Sequence, residues 1–291
     1  MSTSCVIGVD LGGTKILAGL IDADGGVHET IERPTVTSSQ DALLAELVEA
    51  VRSLPQDGVT AVGFGIPSRI DHERGIALGA VNIPLRNVPF REEMQQRLGL
   101  TVGMENDGTC AAYGEYRFGA GRGTRNFLML TLGTGVGGGV VSNGRLVHSW
   151  TELGHMVIVE GGEPCHGVCT GHGHVEAYCS GTAADKIARR VLGPAGNAHQ
   201  LVAEQHPALA EIGHHLGVAL GSLVNIFGSE RIAIGGGFGV AAGSLLIPAA
   251  RPAMIEEALA WPEEEPEIVL ASLGARAGLI GAGLIAFEAQ E

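Results

Sequence analysis

The sequence predicts an α/β protein of two lobes, on three observations. Apolar runs of strand length alternate with stretches whose apolar residues recur at helical spacing. The strand-and-turn pattern that opens the chain restarts after a Gly/Arg-rich connector, residues 119–125. Glycine accounts for 46 of 291 residues and aromatics for only 4%, so an aliphatic core with close backbone approaches is expected.

Each element follows from local pattern. Cys5 to Val9, Ile16 to Ile21 and Val27 to Arg33 read as three successive strands, with turns at Gly12-Gly13 and Asp24-Gly25-Gly26. Asp41 to Leu54 sets Leu43, Leu44, Leu47, Val48 and Val51 on one helical face and stops before Pro55. Ala61 to Ile66 is a buried-strand run, Phe90 to Leu98 a short helix, Thr101 to Glu105 a strand and Thr109 to Phe118 a helix. The order is β-β-β-α-β-α-β-α. Strands Phe127 to Thr131 and Gly138 to Val141, with a turn at Asn143-Gly144, begin the same grammar again. A long helix over Ala208 to Phe227, a strand over Arg231 to Ile234 and a terminal helix over Ala275 to Phe287 complete it. Two lobes imply a cleft in which a small ligand would sit.

Composition excludes several classes. Lys and Arg number 18 against 32 Asp and Glu, a net charge of −14, and no basic stripe interrupts that balance, so nucleic acid and anionic membranes are poor partners. No apolar run reads as long enough to cross a bilayer, and the start, Met1 to Asp10, carries no charged leader. A cytoplasmic protein is expected. Five cysteines, an odd number, argue for reduced thiols or a metal site.

Four motifs carry chemistry. Asp10-Leu11-Gly12-Gly13-Thr14-Lys15 lies between two strands, where glycine lets backbone N–H groups turn toward an anion; a plain hairpin turn is the bland alternative. Leu130-Thr131-Leu132-Gly133-Thr134-Gly135-Val136-Gly137-Gly138-Gly139 repeats the arrangement, and facing turns of this kind could grip a polyphosphate. Gly235, Gly236 and Gly237 follow the strand from Arg231, where a flat adenine ring could lie close to the backbone; strand-to-helix packing explains them equally well. Glu105-Asn106-Asp107 ends a strand that runs into a helix: Asn and Asp there suit an N-cap, or Asp107 is a general base while Asn106 holds a neighbouring hydroxyl. Finally, Glu152, His155, Cys165, His166, Cys169, His172, His174 and Glu176 crowd one Gly-broken stretch. Mixed thiol and imidazole suits tetrahedral zinc, although the spacing fits no standard finger and a His- and Cys-rich solvent loop is the alternative.

Taken in order, the turn DLGGTK, the END triplet, the LGTGVGGG turn, ELGH, the Cys/His run closed by VEAYCSG, and IGGGF resemble the ROK family of sugar kinases across nearly the whole chain. The resemblance implies a two-lobed actin-like ATPase (ribonuclease H-like) fold, with a small lobe over 1–107, a large lobe over 108–275 carrying the Cys/His loop, and a last helix over 276–291 returning to the small lobe. It also implies a homodimer or higher oligomer. By position, Asp10 would orient Mg²⁺; Gly12, Gly13, Thr14 and Lys15 would face the transferred phosphate of ATP, as would Thr131, Gly133, Thr134 and Gly135. The base falls on Asp107, sugar-hydroxyl contacts on Asn106, Glu152, His155 and Glu176, weaker ones on Asn82 and the Gly65 to Ser68 loop, and the adenosine contact on Gly235 to Gly237.

The chain departs from the family pattern twice. Thr151 stands before Glu152 where Gly is usual, and in the metal run Gly167 and His174 occupy positions usually held by Cys. Cys165 could supply the missing thiolate, so structural zinc on His155, Cys165, Cys169 and His174 is expected, with His172 or His166 as substitutes. The implied activity is transfer of the γ-phosphate of ATP to a hexose hydroxyl, glucose to glucose 6-phosphate first. Mannose, fructose, allose or N-acetylmannosamine as acceptor and polyphosphate as donor are alternatives. A non-catalytic sugar-binding relative is the rival class, and a sugar-responsive repressor is disfavoured because the first strand begins at Cys5, without room for a winged helix-turn-helix.

Overall fold

A computed structural model describes residues 5–259 and 265–290 of the chain. The described residues fall into two compact units, one drawn from residues 5–118, 148–150 and 275–290, the other from residues 119–147, 151–259 and 265–274.

The first unit is built on strands β1 (Cys5–Leu11), β2 (Lys15–Asp22), β3 (Val27–Pro34), β4 (Ala61–Ile66) and β7 (Thr101–Asn106), in the order β3-β2-β1-β4-β7. β1 to β3 form an antiparallel meander, and β4 and β7 add parallel strands beside β1. Polar residues such as His28, Glu29 and Glu32 are exposed along β3, blunting the sheet edge. A short hairpin, β5 (Arg69–Asp71) and β6 (Ile76–Gly79), follows β4. Helix α1 (Gln40–Arg52) starts where Ser39 accepts the Ala42 N–H at 3.2 Å, and its Leu43, Leu44, Leu47, Val48 and Val51 are buried. They join a core with Ile7, Val9, Leu11, Phe64 and Met104 from the sheet and Phe90 and Met94 from α2 (Phe90–Leu98).

The other face of this sheet carries almost no side chains at its centre. Gly19, Gly8, Gly63 and Gly103 are register partners on four adjacent strands. A Cβ at Gly8 would lie 2.3 Å from the Leu279 carbonyl oxygen, at Gly63 1.9 Å from that of Ala282, and at Gly103 2.5 Å from that of Ile285. Helix α9 (Ala277–Glu288) is thus seated directly on backbone. Helix α3 (Asp107–Phe118) packs on α9 by the same device, since a Cβ at Gly281 would meet the Cys110 carbonyl oxygen at 1.8 Å. That contact holds α3 within the first unit, so the chain leaves this unit after Phe118 and not at the start of the helix.

The second unit repeats the plan. Strands β8 (Phe127–Leu132), β9 (Val136–Ser142), β10 (Arg145–Leu146), β11 (Arg231–Gly235) and β12 (Glu267–Leu270) run in the order β10-β9-β8-β11-β12, antiparallel on one side of β8 and parallel on the other. Asn143 and Gly144, with φ of 52° and 78°, make the turn after β9. Helices α4 (Val175–Cys179), α5 (Gly181–Leu192), α6 (Ala198–Ala203), α7 (Leu209–Phe227) and α8 (Gly237–Glu257) complete the unit. α7 and α8 lie close because Gly213, Gly217 and Gly221 face the carbonyls of Leu246, Ala250 and Met254.

Helix α8 corrects one expectation. Pro248 and Pro252 lie inside it and hide it as a helix in the sequence, yet it is long and apolar enough to cross a membrane by length and composition. Ala242, Leu246, Ala250 and Met254 are instead buried in the second unit's core.

The glycine row predicts a sharp contrast in stability. Gly63→Ala drives a methyl into backbone on α9 and is expected to cost about 1–3 kcal/mol. Gly79→Ala, with nothing within 4 Å of the new Cβ, is expected to cost under about 0.5 kcal/mol. Urea melts check this, and equal midpoints for the two variants would contradict the packing described.

Candidate functional site

In the first unit, the register positions two residues beyond the glycine row hold Asp10, Gly65 and Glu105, paired across β1, β4 and β7. They share the face that carries α9 and α3. Gly278 in the first turn of α9 leaves room for the Asp10 carboxylate, whose Oδ2 would be 2.6 Å from a Cβ there. Gly65 does the same for α3: a Cβ would lie 3.2 Å from Cys110 Sγ and 3.6 Å from Asp107 Cα. Asn106 Oδ1 accepts the Thr109 N–H at 3.2 Å and is the helix cap. Asp107 is the first residue of α3, partly exposed, and its capping alternative falls to its neighbour.

Burial, then the negative charge of Asp107, pushes the Asp10 carboxyl up to about 7, against a smaller downward pull from Lys15. Each of these two carboxyl groups disfavours ionisation of the other. Glu105 behaves oppositely: burial pushes its carboxyl up, but hydrogen bonds from His148, His72 and the Asn106 N–H outweigh that and leave it below the ordinary carboxylate range.

The first glycine turn is a tight hairpin, with the Gly12 N–H donating to the Lys15 carbonyl at 2.9 Å and the Thr35 hydroxyl to the Gly12 carbonyl at 2.7 Å. Gly13, Thr14 and Lys15 are exposed. Asn82 is exposed beside the turn, its Cβ 3.7 Å from where a Gly13 Cβ would stand. Lys15 pairs with Glu32 at 2.9 Å, the two side chains 50% and 58% exposed, a geometry worth little energetically.

In the second unit the turn from Thr131 to Gly135 is fastened at three points. The Gly181 N–H donates to the Gly133 carbonyl at 2.7 Å, the Thr182 hydroxyl to the Thr134 carbonyl at 2.7 Å, and the Val136 N–H to Glu176 Oε2 at 2.9 Å. A Cβ at Gly135 would meet the same Glu176 oxygen at 2.2 Å. The other oxygen, Oε1, accepts from Cys165 Sγ at 3.8 Å. Glu176 therefore joins the glycine turn to the Cys/His loop. Thr131 pairs with Gly235 across β8 and β11. Packing accounts for Gly235, against Met129, and for Gly236, at φ 78° against Leu132, whereas a Cβ at Gly237 would meet nothing within 4 Å.

His155, Cys165, Cys169 and His174 come together, their ligand atoms all within 4.8 Å of one another. His155 Nδ1 is 3.4 Å from His174 Nδ1 and 3.7 Å from Cys165 Sγ, and Cys169 Sγ is 3.6 Å from His174 Nδ1. Tetrahedral zinc, with Zn–N near 2.0 Å and Zn–S near 2.3 Å, spaces its ligand atoms about 3.3–3.7 Å apart. The donor set fits that ion. The opposite ring nitrogen of His155, Nε2, faces exposed Glu152 at 4.0 Å, so one imidazole can serve a metal and a ligand together. His166 and His172 stand outside the group.

Sequence reasoning missed some of the groups that hold these parts. Thr182 and Gly181 carried only a weak signal, a hydroxyl beside glycine after the VEAYC run. His72 and His148, both on Glu105, lie in separate elements with no shared spacing and could not have been found from pattern.

Comparison with known proteins agrees over the full length. The family model described as "ROK family" matches residues 6–289. A glucokinase of Streptomyces coelicolor is 33% identical over 97% of this chain and 97% of its own. Among solved structures, a ROK hexokinase from Thermus thermophilus superposes with TM-score 0.86 at 31% identity, covering 98% of both chains. A ROK family glucokinase from Streptomyces griseus, solved with glucose and AMPPNP, superposes with TM-score 0.81 at 30% identity over 98% of this chain and 99% of its own. The ordered motifs, the twin sheets and these matches agree, and the chain belongs to the ROK family.

Proposed function

We propose that the chain transfers the γ-phosphoryl group of ATP to a hydroxyl of a hexose, with glucose as first acceptor and glucose 6-phosphate as product. The observation that carries this reading is that Gly65, the register partner of Asp10, backs onto the Asp107 end of α3, bringing two carboxyl groups together in the unit whose Gly13-Thr14-Lys15 turn is exposed. One carboxylate suits a cation and the other a proton.

In this reading Asp107 accepts the proton of the sugar hydroxyl as its oxygen attacks the γ-phosphorus and ADP leaves. The Asn106 amide nitrogen, Asn82 and the backbone at Gly65 orient neighbouring hydroxyls. The family likeness adds Glu152, His155 Nε2 and Glu176 as further sugar-hydroxyl contacts. The turn at Gly12 and Gly13 faces the transferred phosphate with the Gly13 N–H, the Thr14 hydroxyl and the Lys15 ammonium, and the weak surface pair with Glu32 releases Lys15 readily. Thr131, Gly133, Thr134 and Gly135 contact the phosphates, and Gly235 to Gly237 the adenosine, with the open space at Gly237 in favour. Asp10 would hold Mg²⁺ or its waters, and that ion supplies charge neutralisation on the phosphates. His155, Cys165, Cys169 and His174 would hold a structural zinc that fixes His155 and, through His174 at the head of α4, Glu176. Five free thiols fit a reducing, cytoplasmic setting, and the family likeness supports a homodimer or higher oligomer.

The test is product analysis with a panel of glucose, mannose, fructose, allose and N-acetylmannosamine against ATP and polyphosphate. Glucose with ATP should give the highest kcat/KM, and failure to form any sugar phosphate would contradict the reading.

Three outcomes follow from the residue roles. Asp107→Asn should fold and bind sugar with near-parental affinity but lose about 10²- to 10⁴-fold in kcat; near-normal turnover in steady-state assays would remove the base assignment. Stripping zinc with a chelator should raise the KM for sugar more than it lowers kcat, and an unchanged KM would detach the Cys/His group from sugar binding. The third concerns Asp10. Its folded pKa near 7 lies above the ordinary 3.8, so between those values the folded protein binds more protons than the unfolded chain and stability falls as pH rises. Asp10→Asn lifts that penalty. At about pH 8, without nucleotide or metal, it should be more stable by about 1–3 kcal/mol, with the gain shrinking toward about pH 4 while phosphoryl transfer collapses. Equal stability in denaturant melts at both pH values would contradict it.

A further inference from the structure

The first unit contains a second cluster of ligand-type side chains, apart from the Cys/His loop. Glu105 on β7 is 1% exposed at its side chain. Its Oε1 and Oε2 lie 3.0 and 2.9 Å from His72 Nε2, and Oε2 lies 2.8 Å from His148 Nδ1. All three ligand atoms lie within 4.8 Å of one another.

We propose that His72, Glu105 and His148 form a binding site for a divalent first-row transition ion, with zinc as the reference ion. Two imidazoles and one carboxylate are a donor set that such ions take with a coordination position left open. Ligand atoms about 2.0–2.2 Å from a shared ion stand roughly 3–3.5 Å apart, and the two Glu105–histidine spacings need to widen by only a few tenths of an ångström to admit one, the histidine nitrogens lying within 4.8 Å of each other.

The surroundings resemble those of a built site in three respects. The carboxylate is anchored from behind, since Oε1 accepts the Asn106 N–H at 2.8 Å. His148 turns its other nitrogen, Nε2, toward Glu288 Oε2 at 3.9 Å, and Glu288 is in turn hydrogen-bonded by the Tyr113 hydroxyl. At that distance Glu288 faces the imidazole without hydrogen-bonding it, and a small turn of the His148 ring would complete the outer carboxylate support usual for a metal-bound histidine. The two histidine-bearing segments are also fastened together: the Trp150 indole N–H donates to the Ile70 carbonyl at 3.0 Å, the Arg69 guanidinium lies 5.0 Å from the Trp150 ring centroid, and Arg91 holds the His72 carbonyl at 2.8 Å. The His72 and His148 side chains are 26% and 46% exposed, which gives an ion a path in from solvent. Because Asn106 hangs on the same carboxylate, an ion here would stiffen the end of β7 on which Asp107 follows.

Equilibrium dialysis of the full chain against zinc, read by elemental analysis, tests the site. The double variant His72→Gln, His148→Gln should hold one fewer ion per chain than the parent, with circular dichroism unchanged. Glu288→Gln should keep the site but weaken it about 10- to 100-fold. If the double variant does not fold, His148→Gln alone, altered at a half-exposed position, should still lose the ion. Cobalt loading separates the two sites, because only the Cys/His loop can give thiolate-to-metal charge-transfer absorption; the ion lost in the variants should be the one without it. Equal metal content in parent and folded variants, or loss of the thiolate band alone, would overturn the proposal.

Discussion

The seating of α9 directly on the backbone of the first sheet is the constraint from which the geometry of that unit follows. Gly8, Gly63 and Gly103 bring α9 carbonyls to within 1.9–2.5 Å of where their Cβ atoms would lie. Two residues further along the same strands, Asp10 and Glu105 flank Gly65. Asp10 then rests against Gly278 of α9, and Gly65 against the head of α3. Moving α9 outward by the width of a methyl group would slacken the contacts that hold α3, and with α3 the position of Asp107 relative to Asp10. A helix late in the chain thus sets the spacing of two carboxylates, one on the first strand and one at the head of α3. Like charges kept close in a partly buried setting raise the energy of the empty protein. That is the state in which a cation and a proton donor gain most by arriving.

The second unit reaches comparable order by a different route. Its glycine turn is not pressed against a helix but tied by hydrogen bonds, one of them from a backbone N–H to the Glu176 carboxylate, a charge-assisted bond stronger than a neutral one. Glu176 is the second residue of the short helix α4, two after His174 of the Cys/His group, and its second oxygen faces Cys165. One carboxylate thereby connects the turn, the loop and the proposed sugar contacts. The loop's two Cys and two His side chains come from a stretch with little apolar burial of its own, and a segment of that kind gains more from a cross-link than from a core.

Much of this was legible in the residues. The β-β-β-α grammar, the helices rich in Leu and Val and the hydroxyl-bearing glycine turns rest on local spacing, which strands, helices and turns obey, whereas the Cys/His loop stands out by composition, its spacing fitting no standard finger. What stayed hidden depended on contacts distant in sequence. Helix α8 was obscured because Pro248 and Pro252 read as breakers, although tertiary packing on α7 and the sheet sustains the helix through them. The hairpin of β5 and β6 is too short to show a period. Choosing between Asn106 and Asp107 as cap required the hydrogen bond to Thr109. The pairing of Glu105 with His72 and His148 joins three elements with no common register, and the joint role of Glu176 shows only once α4 lies against β9.

The account stands or falls most directly on a crystal structure of the chain with glucose and a non-hydrolysable ATP analogue. The reactive sugar hydroxyl should lie within about 2.6–3.2 Å of the Asp107 carboxylate and in line with the terminal phosphate, with the Gly12 to Lys15 turn against that phosphate. A well-ordered sugar whose phosphate-facing hydroxyl contacts some other base, with Asp107 turned away, would contradict it.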